Sequence, residues 1–156
     1  MSLSKALDEV LDDAAGKGGK GVRTLSAKDG ERSAEVDVHE VGKLGVRVSR
    51  IRVEREDPYD VERVARDWPR DLRDLPDRIE PVEVDPRLGG ASLRSKPDEM
   101  RDDRFIDVEV RDRSAEVRRF TRNRGGERRA ADMTLTREQL GRMVDDLVRG
   151  GSEDGG

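Results

Sequence analysis

The sequence predicts an α+β fold class: a twisted antiparallel sheet with an N-terminal, a central and a C-terminal helix packed on it. Three observations point there. Within residues 79–122 apolar side chains alternate with charged ones: Val82 and Val84, Ala91 and Leu93, Ile106, Val108 and Val110, Ala115 and Val117. Such alternation gives one apolar and one wet face, as a sheet buried on one side requires. Stripes of helical period flank that stretch in sequence and offer the cover its apolar face needs. Composition then allows one small core, because Leu, Ile, Val and Phe supply 34 of 156 residues. That lies just above the roughly 20% below which charged chains stay disordered. The 32 basic and 36 acidic residues nearly cancel, to −4. Residues 1–150 are expected to form a single domain, and residues 151–156 a disordered tail.

In chain order, residues 2–15 predict a helix. Leu3, Leu7, Val10, Leu11 and Ala14 form one stripe, and Ser2 or Ser4 can cap it. Gly16, Gly18, Gly19 and Gly21, interleaved with Lys17 and Lys20, end that helix as a linker. Their spacing suggests a phosphate loop, but Val22 stands where such a loop needs Lys. The run also leaves a helix and enters a strand, the reverse of that motif. Three strands follow. Asp29-Gly30 favours a two-residue turn pairing Leu25 with Ala34 and Arg23 with Val36. A second turn near Gly42 leads into Leu44, Val46 and Val48, after which the apolar parity moves to Ile51 and Val53. A bulge around Ser49-Arg50, or a strand end buried on both faces, accounts for that change.

Asp57-Pro58 predicts the start of the second helix, with Asp57 as N-cap and Pro58 in the first turn. Val61, Val64, Ala65 and Trp68 form its stripe, and Leu72 and Leu75 extend it. Pro69 is expected to break or kink the helix at Trp68, leaving the sole Trp to plug the core. In the central sheet, Asp85-Pro86 and Gly89-Gly90 mark one turn, and residues 96–103 a charged loop. A hairpin about Asp112-Arg113 pairs Arg111 with Ser114, Val110 with Ala115 and Val108 with Val117 on the inner face. The same register sets Asp107 against Arg118, Glu109 against Glu116 and Phe105 against Phe120 on the outer face. Two phenylalanines there need cover from a bulge that turns Phe120 inward, from a helix, or from a second subunit. Residues 122–129 read as a loop and 133–135 as a short closing strand. Thr136 and Gln139 then form a capping box, Leu135 and Leu140 a hydrophobic staple. Leu140, Met143, Val144, Leu147 and Val148 make the last helical stripe, stopped by Gly150-Gly151.

The chemistry-bearing residues are sparse. Without cysteine there is no disulfide, thiolate nucleophile or Cys-ligated metal, and a lone His39 cannot build a multi-histidine site. Gly90-Ala91-Ser92-Leu93-Arg94 lacks the second glycine and the following helix of a nucleophile elbow. Acidic pairs such as Asp12-Asp13, Asp102-Asp103 and Asp145-Asp146 are ordinary in a chain with 36 carboxylates. No catalytic residue, metal ligand or cofactor is assigned. No apolar run reaches the ~18 residues of a membrane span, and the N-terminus lacks a secretory apolar region. The expectation is a soluble, cytoplasmic protein.

One segment departs from the charge balance. Residues 111–129 hold eight Arg against Asp112, Glu116 and Glu127, a local +5. Arg118, Arg122 and Arg124 are its candidate nucleic-acid contacts, because such a hairpin can follow a phosphate backbone. The low overall pI, near 5.3, and the few aromatic residues weigh against that use. The order of elements, α-β-β-β-α, then strands, then α, resembles the type III secretion chaperone-like fold. The resemblance spans residues 3–148 in element order alone. It implies a small, acidic, usually dimeric protein binder, and carries no site residue with it. The functional expectation is therefore a non-enzymatic, chaperone-like protein-interaction module with a protein partner or a second copy of itself, docking through Phe105 and Phe120. The alternative is a nucleic-acid-associated protein using the Arg-rich hairpin.

Overall fold

Each period-two segment needs strand neighbours for its backbone groups and a cover for its apolar side, and for most segments both are met within this chain. The computed structural model describes residues 2–17, 21–95, 104–122 and 125–151. Along them run α1 (Leu3–Lys17), β1 (Arg23–Asp29), β2 (Arg32–Val41), β3 (Gly45–Glu54) and α2 (Val61–Asp71). Then come β4 (Ile79–Asp85), β5 (Gly90–Ser95), β6 (Arg104–Arg111), β7 (Ser114–Arg122), β8 (Arg128–Ala131), β9 (Met133–Thr136) and α3 (Arg137–Arg149). The fold is α+β, with an open antiparallel sheet ordered β1-β2-β3-β7-β6-β5-β4. β3 and β7 pair only over Arg50–Glu54 and Ser114–Arg118. Beyond that they splay, β8 pairing with the far half of β7 and β9 with the near half of β3.

All three helices share one connected core with the sheet. α1 lies against β1, β2 and α3; α2 against β4 and β5; α3 against β3 and β9. Leu3, Leu7 and Leu11 of α1, Trp68 of α2 and Leu140 and Leu147 of α3 meet Val36, Ile51, Val108 and Val117 there. The capping box at the start of α3 is present, with the Gln139 N–H donating to Thr136 Oγ1 (2.9 Å) and Gln139 Oε1 accepting from the Thr136 N–H (2.9 Å). Helix α1 is tied to α3 by Arg137, which reaches Asp8 and Asp12 at 2.6 Å each. Burial opposes the Arg137 charge, yet bonds to those two carboxylates raise its pKa.

Several local expectations hold. The β6–β7 register is the predicted one at every pair, from Arg111 opposite Ser114 to Phe105 opposite Phe120. The pairing of β2 with β3 slips between Asp37 and Val38, leaving Ser49 extra, so the predicted bulge accounts for the parity change. Others need correction. The β1–β2 turn falls on Gly30-Glu31, which pairs Asp29 with Arg32 and Leu25 with Val36. Gly30 takes φ +63°, and only glycine adopts that at no steric cost, so it fixes the turn one residue later than the Asp29-Gly30 reading. Helix α2 starts at Val61 rather than Pro58, because Asp60 and not Asp57 caps it, accepting from the Arg63 N–H. Pro69 does not break the helix. It sits in the last turn, where one forgone bond is tolerable, and the Leu72 N–H still donates to Trp68 O at 3.0 Å. Trp68 is fully buried, as predicted.

Three further expectations fail around β4 and the C-terminal region. Val82 and Val84 do not join the core. Val82 is an extra residue between Pro81, opposite Leu93, and Glu83, opposite Ser92, so it breaks the alternation. The expected 122–129 loop gives way to β8 at Arg128, because the splayed half of β7 needs a partner for its backbone. Gly151 is no part of a loose tail: it is buried and its carbonyl accepts the Asp60 N–H at 2.8 Å. Residues 152–156 lie outside the described residues, as does the 96–103 loop.

Candidate functional site

The helices cover one face of the sheet and leave the other, so the side chains of the second parity define the candidate surface. The registers bring them into rows. One row runs Asp37, Arg50, Arg118, Asp107 and Arg94; the next runs Glu35, Arg52, Glu116, Glu109 and Ser92. Glu116 organises their centre, accepting from Arg50 Nε at 2.8 Å and Arg118 at 2.6 Å, with Arg52 at 3.8 Å. Arg50 also meets Asp37 at 3.3 Å and Glu35 at 3.7 Å. Partial burial disfavours the Arg50 charge, but attraction to Asp37 and Glu116 outweighs it and raises the pKa. The Glu109–Glu116 pair, like-charged and directly opposite, is thus held by surrounding arginines. An open groove of about 380 Å³ crosses this region, lined among others by Asp107, Glu109, Glu116, Arg111, Arg118 and Arg128.

At one end of the face the Phe105 and Phe120 rings lie 5.6 Å apart at an interplanar angle of 32°. Strand pairing continues unbroken through Arg118 and Arg119, so no bulge turns Phe120 inward. The cover is arginine. The guanidiniums of Arg94, Arg122 and Arg128 stand 5.2, 5.4 and 5.1 Å from the Phe105 centroid, and Arg128 stands 5.2 Å from that of Phe120. Phe105 is 3% exposed within this single chain, yet separate from the helix-side core; Phe120 is half-buried.

Of the predicted nucleic-acid contacts, Arg118 is engaged by Glu116, Arg122 caps Phe105, and Arg124 lies outside the described residues. His39 is half-buried at an irregularity of β2, its Nε2 without a hydrogen-bond partner among the described residues. Ser92 lies mid-strand in β5, 3.4 Å from Glu109. No group of three or more His, Asp or Glu suited to a metal occurs among the described residues. No helix there is long and apolar enough to cross a membrane.

A second surface went unread in the sequence. β4 ends the sheet, no strand pairs with its outer edge among the described residues, and Val82 (62% exposed), Val84 and the neighbouring Leu88 (80%) stand in solvent beside it. Pro81 was the available signal, since proline within a strand marks an edge. Arg94 and Arg128 were also missed, because their role depends on cross-strand neighbours brought in by β5 and β8. No protein-family model, curated protein or solved structure matches this chain.

Proposed function

We propose that this chain is a non-enzymatic protein-interaction module that takes an extended segment of a partner protein onto the free edge of β4. One observation carries the reading. Among the described residues only five large apolar side chains are exposed, and three of them, Val82, Val84 and Leu88, cluster at that edge. An open edge presents unpaired N–H and C=O groups, and apolar side chains beside it supply the contacts that strand addition needs. β4 carries Glu80, Glu83 and Asp85 and no basic residue, so pairing with a second copy of β4 sets acid near acid. A partner strand with apolar and basic residues suits it better than self-association. The chaperone-like resemblance adds nothing to this reading: among the described residues six strands lie between α2 and α3, against two in that family's order of elements.

The test compares tagged wild type with a Val82→Lys, Val84→Lys, Leu88→Lys variant in co-purification from the native cell, followed by mass spectrometry. A protein lost from the variant should, once purified, slow hydrogen exchange of the β4 amides in the wild type. If both forms capture the same proteins, or protection falls elsewhere, the edge is not the interface.

A further inference from the structure

The guanidiniums on the outer face do not all have the same surroundings. Arg50, Arg52, Arg94 and Arg118 each stand within 4 Å of a carboxylate of the same face. Among the described residues Arg122 and Arg128 have no such partner; each instead rests on the face of a phenylalanine. They are opposite one another in the β7–β8 register, so two cations without a carboxylate partner among the described residues stand side by side above an apolar floor. Their like charges repel, and an anion between them would relieve that.

We propose that Arg122 and Arg128, seated on the Phe105–Phe120 pair, form a docking site for an acidic extended segment of a partner protein. A guanidinium offers a planar fork that matches a carboxylate with two parallel bonds. Ring stacking fixes part of the side-chain rotation beforehand, which lowers the ordering cost of binding. The half-buried Phe120 ring lines the groove together with Arg128 and gives a bound segment apolar contact beside its carboxylates.

A nucleic acid fits the same ground less well. A phosphate backbone needs a continuous run of cations, whereas the rows next to this cluster are interrupted by the carboxylates of Asp107, Glu109 and Glu116. Base stacking needs open ring faces, and Phe105 is already covered. The site uses none of Val82, Val84 or Leu88, so it stands or falls separately from the β4 edge.

Fluorescence anisotropy with a labelled glutamate-rich peptide tests it, with a lysine-rich peptide of equal length and a single-stranded oligothymidylate as comparisons. Wild type should bind the glutamate-rich peptide in preference to both, with affinity falling as salt rises. Arg122→Gln with Arg128→Gln should weaken that binding about tenfold or more, since two charge-assisted contacts are lost. Both side chains belong to exposed residues, so circular dichroism should show the fold retained. Equal binding of the two peptides by wild type overturns the proposal without recourse to the variant. An unchanged affinity in a folded variant overturns it too, and tighter binding of the oligonucleotide assigns the cluster to nucleic acid instead.

Discussion

The Arg55 guanidinium lies over the Tyr59 ring, 3.6 Å from its centroid, and the two side chains together close the C-terminal end of α3. Arg55 Nη1 donates to the carbonyls of Val148 (2.8 Å) and Gly150 (2.7 Å), its Nε to Asp57 O (2.9 Å), and the Tyr59 hydroxyl to Leu147 O (2.7 Å). The last carbonyls of a helix have no partner within it, and a cation there also meets the negative end of the helix dipole. A buried arginine bonded to carbonyls instead of a carboxylate is thus a cap assembled from a distant strand end. Arg55→Met keeps the apolar stem and removes the donors. It should cost roughly 2–4 kcal/mol in urea denaturation, because bonds from a charged donor are lost and carbonyls are stranded.

Tyr59 gives the same corner a pH dependence. Burial pushes the hydroxyl above its ordinary value of 10.0, with the nearby Arg55 charge opposing. An acid whose folded pKa is raised contributes stability that is complete below the unfolded pKa and is lost as pH rises through the folded one. Wild type should therefore lose stability above about pH 10, the unperturbed tyrosine value. Tyr59→Phe should remove that part of the alkaline loss while lowering stability at neutral pH by about 1 kcal/mol, for one hydrogen bond. Thermal denaturation of both proteins from neutral to alkaline pH checks it. Parallel curves would show that Tyr59 is not the group responsible.

Gly150 and Gly151 do more than end α3. A Cβ on Gly150 would stand 2.0 Å from Trp68 Nε1, and one on Gly151 would stand 2.5 Å from Val64 Cγ2 with φ at +63°. Trp68 and Val64 are fully buried, so either can give way only by disturbing the core around it. Gly150→Ala and Gly151→Ala should each destabilise by roughly 1–3 kcal/mol, the usual cost of overpacking. The emission of the sole Trp should shift to the red in Gly150→Ala if the indole is displaced towards water. An unshifted spectrum with unchanged stability would place the indole elsewhere.

These contacts also mark where sequence reasoning reached and where it stopped. The β6–β7 register was legible because alternation and a two-residue turn about Asp112-Arg113 leave one pairing that keeps Val108, Val110, Ala115 and Val117 together. The cap of α3 was legible because Thr136 and Gln139 are local. β4 was misread because a bulge at Val82 undoes period two within seven residues, and nothing in the alternation itself announces it. The arginine cover of Phe105 was out of reach for another reason. Arg94 and Arg128 meet that ring only after β5, β6, β7 and β8 have paired, and no local pattern encodes that order.

Leu140 and Leu147 are fully buried on the α3 stripe, and Thr136 accepts the N3 amide. Leu140→Ala and Leu147→Ala should each cost roughly 2–4 kcal/mol, as truncations of buried leucine do. Thr136→Ala should cost about 1 kcal/mol, the value of one N-cap. Chemical denaturation orders the three. A neutral Leu140→Ala would mean that α3 does not dock on β3 and β9.

The aromatic pair sets the last prediction, because its outward position alone would suggest that a second subunit buries it. Phe105 is already buried without one, under three guanidiniums and beside Phe120. Its loss should register in stability before it registers in association. Phe105→Ala is expected to destabilise by about 3 kcal/mol, the low end for phenylalanine truncation, because it lies outside the main core. Phe105→Asp should be worse, placing a carboxylate opposite the remaining Phe120 ring, although Arg94, Arg122 and Arg128 would compensate part of the charge. Phe120→Ala should cost less than Phe105→Ala, since the Phe120 ring is only half-buried. Equilibrium sedimentation of the wild type and of both alanine variants separates the two accounts. The single-chain cover predicts the same molar mass for all three, with midpoints of denaturation falling in the order wild type, Phe120→Ala, Phe105→Ala. A wild-type dimer that Phe105→Ala converts to a folded monomer of unchanged stability would show instead that a second copy, not the arginines, covers the ring.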